Sequence, residues 1–357
     1  MKKIQIGSQI LTETSPAMII AELSANHNGN IKNALASIRA AKRAGADAVK
    51  LQTYTADTLT VNCENPDFKI KQGMVWDGKY LYQLYSEAST PLEWHKELFA
   101  AAEAEGLICF STPFDFETAD FLENLNVPAF KIASFEITDI PLIRHIAKKK
   151  KPVIISTGIA ETSDIDLAVH TCRKSGNEQI VLLKCTSAYP SPINEMNLIM
   201  IKDLAERFNV LSGLSDHTIS PSVPATAVVL GAKIIEKHFT IDKSIGGHDI
   251  SFSLDEKEFT QMVTCIREAE MAIGRIDYTL TEKQVKSKEL CRSLYIVRDV
   301  REGEIISNTN VRSIRPGYGL HPKYLDSIMG KQFAASAPKG TRVTPGIIRE
   351  FQISKKN

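Results

Sequence analysis

Short apolar runs alternate with stretches of helical spacing from residue 18 to residue 238 of this chain. Most positions of these runs are apolar, which is typical of a parallel sheet covered by helices. Eight such strand-and-helix units predict a closed (β/α)8 TIM barrel. The predicted strands are Met18–Glu22, Ala48–Gln52, Ile108–Thr112, Ala129–Ser134, Val153–Thr157, Ile180–Cys185, Val210–Ser215 and Lys233–His238.

One long segment, Tyr54–Ala88, interrupts this alternation after the second predicted strand. It is polar but carries several aromatic side chains, among them Trp76. Long loops in compact domains are more often functional than accidental, and this one begins on the rim where barrel enzymes have their active sites. The sequence therefore predicts a lid, with a simple insertion as the alternative.

The pattern changes after a predicted helix at Phe259–Ile273. A highly charged stretch, Glu282–Glu289, is interpreted as a linker or a solvated helix. Beyond it, predicted strands at Ser293–Val297 and Val311–Ile314 are separated by turn residues. We expect a barrel domain at 1–280, a linker at 281–292 and a small second domain at 293–357.

Composition argues against several classes of function. A formal net charge of +1 over 357 residues gives no support to a nucleic-acid partner. No apolar run approaches the length of a membrane-spanning helix, so no membrane partner and a cytoplasmic location are expected. The six cysteines form no Cys-x-x-Cys pair, which argues against a disulfide framework; Cys185, inside an apolar run, is interpreted as a small hydrophobic residue.

Polar and charged side chains follow most of the predicted strands, and catalytic groups of a (β/α)8 barrel lie at the carboxyl ends of strands. Lys131 and Ser134 cannot both face inward in a regular strand, which predicts a bulge or an early strand end after Ala133. The strand-end residues are Glu22, Lys50, Gln52, Lys131, Ser134, Glu136, Ser156, Ser215, His217, Glu236 and His238.

Two histidines, His217 and His238, end neighbouring predicted strands. Two imidazoles on one rim can hold a divalent metal and leave positions open for water and a substrate oxygen. Hydrogen-bonded structural histidines are the alternative, and the pattern alone favours neither.

Two lysines, Lys50 and Lys131, lie inside apolar strands. Burying an unpaired ammonium is costly, so each needs an anionic partner. Glu22, Glu136 or Glu236 could supply it in a structural network. A bound phosphate or carboxylate is the interpretation that we favour.

Five strings of this chain resemble the sialic acid synthase family, and the resemblance covers nearly the whole chain. They are Ala21–Gly29, Lys131–Glu136, Gly213–His217, Glu236–Phe239 and Arg315–Pro322. The resemblance implies a barrel followed by a small C-terminal antifreeze-like (SAF) domain. It also implies condensation of phosphoenolpyruvate with an amino-sugar aldehyde, with release of phosphate.

Residue roles are also implied by this resemblance. His217 and His238 match ligands of a divalent metal, expected to be Mn²⁺, with Mg²⁺ or Co²⁺ as alternatives. Catalytic roles are implied for Glu22, Lys50, Lys131 and Glu136, the last as the group that acts on a water. Substrate-binding roles are implied for Gln52, Ser134, Ser156, Ser187, Tyr189, Ser215, Asp249 and Arg315. In relatives the domain that carries Arg315 reaches the partner's sugar site, so a domain-swapped homodimer is expected.

Two departures from the family bear on the acceptor sugar. The string Cys185–Pro190 lacks an asparagine that sialic acid synthases tend to carry, and Ser24–Asn26 lacks the glycine of their first strand. Both argue against N-acetylmannosamine, and a diacetamido-trideoxy hexose is the expected acceptor. An N-acetylneuraminate or legionaminate synthase is the alternative within the family.

Two alternatives of other classes are weaker. A binding protein on a barrel scaffold has no need of Glu136 beside two strand-end histidines. A metal-dependent aldolase that does not use phosphoenolpyruvate leaves Lys50 and Lys131 unexplained.

Overall fold

The computed structural model describes residues 2–71, 73 and 76–353. Residues 72, 74 and 75 of the predicted lid, and residues 354–357 of the predicted second domain, lie outside the described residues. The chain divides into two compact units, the first ending at Gly274 and the second beginning at Arg275. No helix in the described ranges has the length and apolar composition that a bilayer crossing needs.

An antiparallel hairpin that the sequence analysis did not predict precedes the barrel. Its strands are β1 (Lys3–Ile6) and β2 (Gln9–Thr12), joined by a tight turn with Gly7 at a φ of 56°. Alternate side chains of the hairpin, Ile4, Ile6 and Leu11, are buried in the same cluster as core residues of the barrel strands. The hairpin thus packs against the barrel.

Eight parallel strands among the described residues close into a barrel, which confirms the predicted fold. They follow one another in chain order, and the last pairs with the first so that His238 lies beside Glu22. The barrel strands are β3 (Met18–Glu22), β4 (Ala48–Thr53), β5 (Ile108–Pro113), β6 (Phe130–Ile132), β7 (Val153–Ser156), β8 (Ile180–Cys185), β9 (Leu211–Asp216) and β10 (Ile234–His238).

The early end predicted for the fourth barrel strand is confirmed. Strand β6 stops at Ile132, and Ser134–Glu136 forms a 3₁₀ turn. The turn frees Ser134 and Glu136 from strand alternation, so both side chains can face the same space as Lys131.

Helices cover the outside of the barrel and bury an apolar face against it. In α6, for example, Leu142, Ile143 and Ile146 are buried, while Asp139 caps the first turn by accepting from the Leu142 N–H. The helices of this unit are α1 (Ile31–Arg43), α2 (Ala56–Leu59), α3 (Leu81–Ala88), α4 (His95–Ala104), α5 (Phe116–Asn124), α6 (Ile140–Lys148), α7 (Thr162–Lys174), α8 (Met200–Arg207), α9 (Ser222–Val229) and α10 (Glu256–Ile273). The predicted lid contains α2 and α3 and is therefore partly helical.

The second unit has its own small core. Its elements are α11 (Glu282–Ser287), β11 (Ser293–Ile296), β12 (Val311–Ile314) and α12 (Leu325–Ile328). Both strands were predicted, and the structure pairs them antiparallel. The charged stretch is a solvated helix, since α11 is exposed throughout. The core of the second unit includes Leu294, Ile296, Val311, Ile328, Phe333 and Val343.

Candidate active site

A cavity of about 440 Å³ lies at the carboxyl ends of the barrel strands. Most of the residues that the sequence analysis singled out line it. These are Lys50, Gln52, Lys131, Ser134, Glu136, Ser156, Tyr189, Ser215, His217, Glu236, His238 and Asp249. The strand residues among them converge because inward positions of parallel strands end at one rim, and the others reach the same rim from the loops that follow the strands.

Lys50 has a carboxylate partner within the protein. Its ammonium forms an ion pair with Glu22 and donates to Thr112 Oγ1 at 3.1 Å, while Glu236 Oε1 lies 3.9 Å away. Burial lowers the pKa of Lys50, but Glu22 and Glu236 outweigh that effect and raise it. The structural network considered in the sequence analysis is therefore present at this lysine.

Lys131 lacks such a close ion pair. Its side chain is 2% exposed, and its ammonium donates to Ser156 Oγ at 2.7 Å and to the Ile132 carbonyl at 2.8 Å. Glu236 Oε1 lies 4.0 Å from the ammonium. Burial lowers the pKa of Lys131, so a small anion bound beside Ser156 would stabilise its charged form.

The two imidazoles lie side by side at the ends of β9 and β10. The ring centroids of His217 and His238 are 5.3 Å apart. Burial, reinforced by the positive charges of His217, Lys50 and Lys131, holds the pKa of His238 well below its usual range. A neutral imidazole is the form that can bind a metal.

The atoms of this pair fit a cation. His217 Nδ1 lies 3.2 Å from the Thr186 carbonyl, so Nδ1–H donates there and Nε2 is the ring nitrogen left for a cation. Nδ1 of His238 is buried without a hydrogen-bond partner in the described part of the chain, and Asp249 Oδ2 lies 4.0 Å from it. The described residues contain no ready-made group of three or more metal-ligating side chains. A metal held by two imidazoles would keep open positions for water and substrate oxygens.

Glu136 presents a carboxylate to the cavity from the turn after β6. Its Oε2 is buried and has no hydrogen-bond partner among the described residues. Burial raises the pKa of Glu136 to about 7, although Lys131 opposes the shift. A carboxyl group with such a pKa can take up a proton near neutral pH.

Tight packing surrounds the turn after β7. The Gly158 N–H donates to Ser134 Oγ at 3.1 Å, and a Cβ at Gly158 would lie 2.2 Å from Ser187 Oγ. Ser187 is therefore close to the site, but it is not among the described residues that line the cavity. Ser134 and Ser156 line the cavity beside Lys131 and offer two hydroxyl donors to a small anion.

Asp249 reaches the cavity from the 3₁₀ turn Ile250–Phe252 after β10. The Ser24 hydroxyl donates to its Oδ2, and Gln52 Nε2 donates to Ser24 Oγ at 3.1 Å. Burial raises the pKa of Asp249. The chain Gln52–Ser24–Asp249 therefore offers a row of polar groups beside His238.

Most of the remaining cavity wall is apolar. The predicted lid supplies much of it, with Trp76 donating its indole N–H to the His248 carbonyl at 3.0 Å and lying 5.6 Å from the Tyr189 ring. These apolar residues form what we call the apolar wall: Tyr54, Leu59, Ile70, Trp76, Leu81, Leu84, Tyr85, Ala88, Phe114 and Phe252.

Cys185 was interpreted wrongly as a small hydrophobic residue. It is the last residue of β8 and lines the cavity, with Sγ 3.9 Å from His217 Nδ1. Although burial opposes it, His217 lowers the pKa of this thiol to about 7. Thr112, which lines the cavity, was also missed, as was Ser24, which joins Gln52 to Asp249. The rule that strand ends carry the site would have found Cys185 and Thr112.

Arg315 lies in the second unit, directly after β12. Its predicted role at the sugar site of a partner chain stays a prediction, as do the roles of the other site residues.

Two family models match this chain. The model of the NeuB family matches residues 37–278, and that of the SAF domain matches residues 292–346. The chain is 49% identical to a pseudaminic acid synthase of Campylobacter jejuni over 92% of this chain and 95% of that protein. It is 45% identical to a pseudaminic acid synthase of Helicobacter pylori (89% and 93%), and 37% identical to an N,N'-diacetyllegionaminic acid synthase of Legionella pneumophila (90% and 92%).

A solved structure supports the same relationship. The N-acetylneuraminic acid synthetase of Leptospira borgpetersenii matches with a TM-score of 0.71 and 29% identity, over 80% of this chain and 95% of that one. The SAF match agrees with the small C-terminal domain that the sequence analysis expected.

Proposed function

This chain belongs to the NeuB family, and on that basis we propose that it is a pseudaminic acid synthase. The reaction condenses phosphoenolpyruvate with 2,4-diacetamido-2,4,6-trideoxy-L-altrose and yields pseudaminic acid and phosphate. The observation that carries the proposal is one cavity in which two neighbouring imidazoles face buried Lys50 and Lys131.

The experiment is a phosphate-release assay on the purified chain, with mass spectrometry of the product. Phosphoenolpyruvate is offered with the altrose derivative, with the diacetamido-trideoxy sugar that legionaminate synthases use, or with N-acetylmannosamine. We expect turnover to be fastest with the altrose derivative. Equal or faster turnover with either other sugar would contradict the assignment.

Phosphoenolpyruvate is assigned to the floor of the cavity. Lys131 and the hydroxyl groups of Ser134 and Ser156 suit an anion, and Lys50 adds a second positive charge. These groups hold the phosphate and the carboxylate while leaving C3 free to face the acceptor. Fixing both reactants in one cavity lowers the entropic part of the barrier.

A divalent ion, Mn²⁺ being the expected one, would be held by His217 and His238. When bound it would polarise the aldehyde oxygen of the open-chain sugar. C3 of phosphoenolpyruvate then attacks the aldehyde carbon, and positive charge develops at C2. The aldehyde oxygen takes up a proton and becomes a hydroxyl group, while water adds at C2 and loses a proton to Glu136. The new C2 hydroxyl then loses its proton as the C2–O bond to phosphate breaks, so that C2 becomes the keto carbon and the phosphate leaves with the second proton.

The apolar wall supports the choice of acceptor. A diacetamido-trideoxy hexose carries three methyl groups, whereas N-acetylmannosamine has one and a hydroxymethyl group that needs hydrogen bonds. An apolar wall favours the diacetamido-trideoxy hexose, and it disfavours N-acetylmannosamine because the hydroxyl of its hydroxymethyl group would have no hydrogen-bond partner. The wall alone does not distinguish the altrose derivative from the diacetamido-trideoxy sugar that legionaminate synthases use. The higher identity to pseudaminic acid synthases than to legionaminic acid synthases supports the altrose derivative.

Replacing Leu84 with alanine is expected to weaken acceptor recognition. Leu84 is buried in α3 and lines the cavity, so the change removes apolar contact with the sugar. We expect kcat/KM for the altrose derivative to fall about tenfold, with kcat/KM measured for each sugar by phosphate release. Leu167→Ala, on the exposed face of α7, is the control and should leave kcat/KM for every sugar unchanged. If the ratio of kcat/KM for the altrose derivative to that for N-acetylmannosamine is unchanged in Leu84→Ala, the role of the wall is contradicted.

Activity is expected to fall as the pH drops below about 7. Burial raises the pKa of Glu136 to about 7, and the group acts as a base only in its ionised form. The measurement is the pH profile of kcat/KM, corrected for the ionisation of phosphoenolpyruvate.

Glu136→Gln should lower kcat/KM by about 10²–10⁴-fold and remove the contribution of this group to the acid limb. Glu117→Gln, exposed in the first turn of α5, is the control. An acid limb that is the same in Glu136→Gln and the parent would rule out this assignment.

We also propose a homodimer in which the second unit of each chain serves the partner's cavity, with Arg315 over the sugar. In support, the stretch that begins the second unit exposes apolar side chains, with Ile276 93% and Tyr278 94% exposed. Such exposure is typical of a surface that another chain covers. Sedimentation of the purified chain tests this assembly.

A further inference from the structure

A fully buried ion pair lies directly behind the two imidazoles. Asp216 Oδ2 and Lys237 Nζ are 2.9 Å apart, and both side chains are 0% exposed. Asp216 and Lys237 are register partners on β9 and β10. Each is also the residue immediately before one histidine of the pair, so the ion pair ties the two strand ends together one residue short of the imidazoles.

The ion pair points away from the reaction space. Ser215, Glu236 and His238 line the cavity, and strand alternation sends the side chains of Asp216 and Lys237 to the opposite face. Direct contact with a substrate is therefore not the reason for these charges.

Further hydrogen bonds fix the backbone around His217. Asp216 Oδ1 accepts from the Thr218 N–H at 2.9 Å, and Asp216 Oδ2 accepts from the Thr218 hydroxyl at 3.2 Å. The Lys237 ammonium also donates to the Thr218 carbonyl. Residues on both sides of His217 are thus bound to each other and to the residue before His238.

Stability alone is a poor explanation for this network. Two charges removed from water cost more than a pair of apolar side chains of similar size, and replacing a buried ion pair by such residues is often neutral or stabilising. An ion pair fixes the position of two strands relative to each other, which a pair of apolar side chains does not. Groups that orient metal-binding histidines typically change metal affinity when they are altered.

We propose that Asp216 and Lys237 are positioning residues that set the spacing and orientation of His217 and His238 for a divalent cation. This inference rests on the proposed metal site. Neither residue is assigned to substrate or to the reacting atoms.

The test is the double variant Asp216→Leu/Lys237→Met, which replaces the charges with apolar side chains of similar size. Mn²⁺ binding is titrated on the substrate-free protein by electron paramagnetic resonance of the free ion, and thermal unfolding is followed in chelator. The Thr218 N–H, hydroxyl and carbonyl lose these partners, so we expect a lower unfolding temperature with unfolding still cooperative. The Kd for Mn²⁺ should become about 10–100-fold weaker.

A second variant covers the case in which the double variant does not fold. Lys237→Arg keeps the charge but changes its reach and geometry, so Mn²⁺ binding should weaken by less than in the double variant while the barrel stays folded. The control is Asp47→Leu/Arg267→Met, which removes a part-buried ion pair with an N–O distance of 2.8 Å between the start of β4 and α10. It should lose stability and keep the parental Kd.

The outcomes separate the inference from the proposed function. If the parent binds Mn²⁺ and the folded double variant or Lys237→Arg binds it as tightly, the positioning role is overturned and the metal site stands. If the parent itself does not bind Mn²⁺, the metal assignment fails and the inference fails with it.

Discussion

Replacing His217 or His238 with alanine is expected to abolish product formation while leaving the barrel folded. The centroids of the two rings lie 5.3 Å apart at one edge of the cavity, and the loss of either ring would remove one of the two proposed ligands of the cation. Polarisation of a carbonyl by a metal is worth several kcal/mol, and each 1.4 kcal/mol changes a rate about tenfold, so we expect kcat to fall by about a thousandfold or more.

The measurement is phosphate release with saturating Mn²⁺, together with the Kd for Mn²⁺ and the thermal unfolding curve. His170→Ala, on the exposed face of α7, is the matched control and should behave like the parent. Cooperative unfolding with lost activity and weaker Mn²⁺ binding is the expected pattern. Near-parental turnover in a variant that lacks both imidazoles would exclude a role for them in catalysis.

Replacing Lys131 with methionine is expected to have opposite effects on activity and stability. The ammonium is buried, and its nearest described carboxylate oxygen lies 4.0 Å away. Loss of this charge should lower kcat/KM for phosphoenolpyruvate by about 10²–10³-fold, as for other buried contacts to an anion. Burial lowers the pKa of Lys131, which means that the folded chain disfavours its charged form. We therefore expect Lys131→Met to unfold at a higher temperature than the parent in the absence of substrate.

Lys233→Met is the control for this experiment. Lys233 precedes β10, donates to the Ser15 carbonyl at 3.0 Å, and also has a pKa lowered by burial. It lies outside the cavity lining, so its loss should leave kcat/KM unchanged. A parental KM for phosphoenolpyruvate in Lys131→Met would contradict the assignment of the anion to this lysine.

The strands and the strand-end residues could be predicted from the sequence because both depend on local patterns. Buried parallel strands are apolar throughout, so a polar residue at the end of such a run stands out, as His217 and His238 do. The conflict between Lys131 and Ser134 predicted the early end of β6 for the same reason.

Other features depend on tertiary contacts that no local pattern records. Cys185 ends strand β8, but its contact with His217 depends on how β8 lies beside β9, which the sequence of β8 does not record. The hairpin β1–β2 is too short to be distinguished from a loop until Ile4, Ile6 and Leu11 meet the barrel. Helix α3 lies in a segment whose aromatic residues obscure its spacing, and its packing over the cavity determines its position.

The separate positions of the two lysines and the apolar wall in the cavity have a kinetic consequence. Lys50 and Lys131 are almost fully buried within β4 and β6, whereas most of the apolar wall comes from the predicted lid, which follows the carboxyl end of β4. A sugar seated against that wall would stand between the lysines and the solvent. Turnover should therefore follow a compulsory sequence in which the phosphorylated acid enters before the sugar, and excess sugar should act as a dead-end inhibitor of the empty protein.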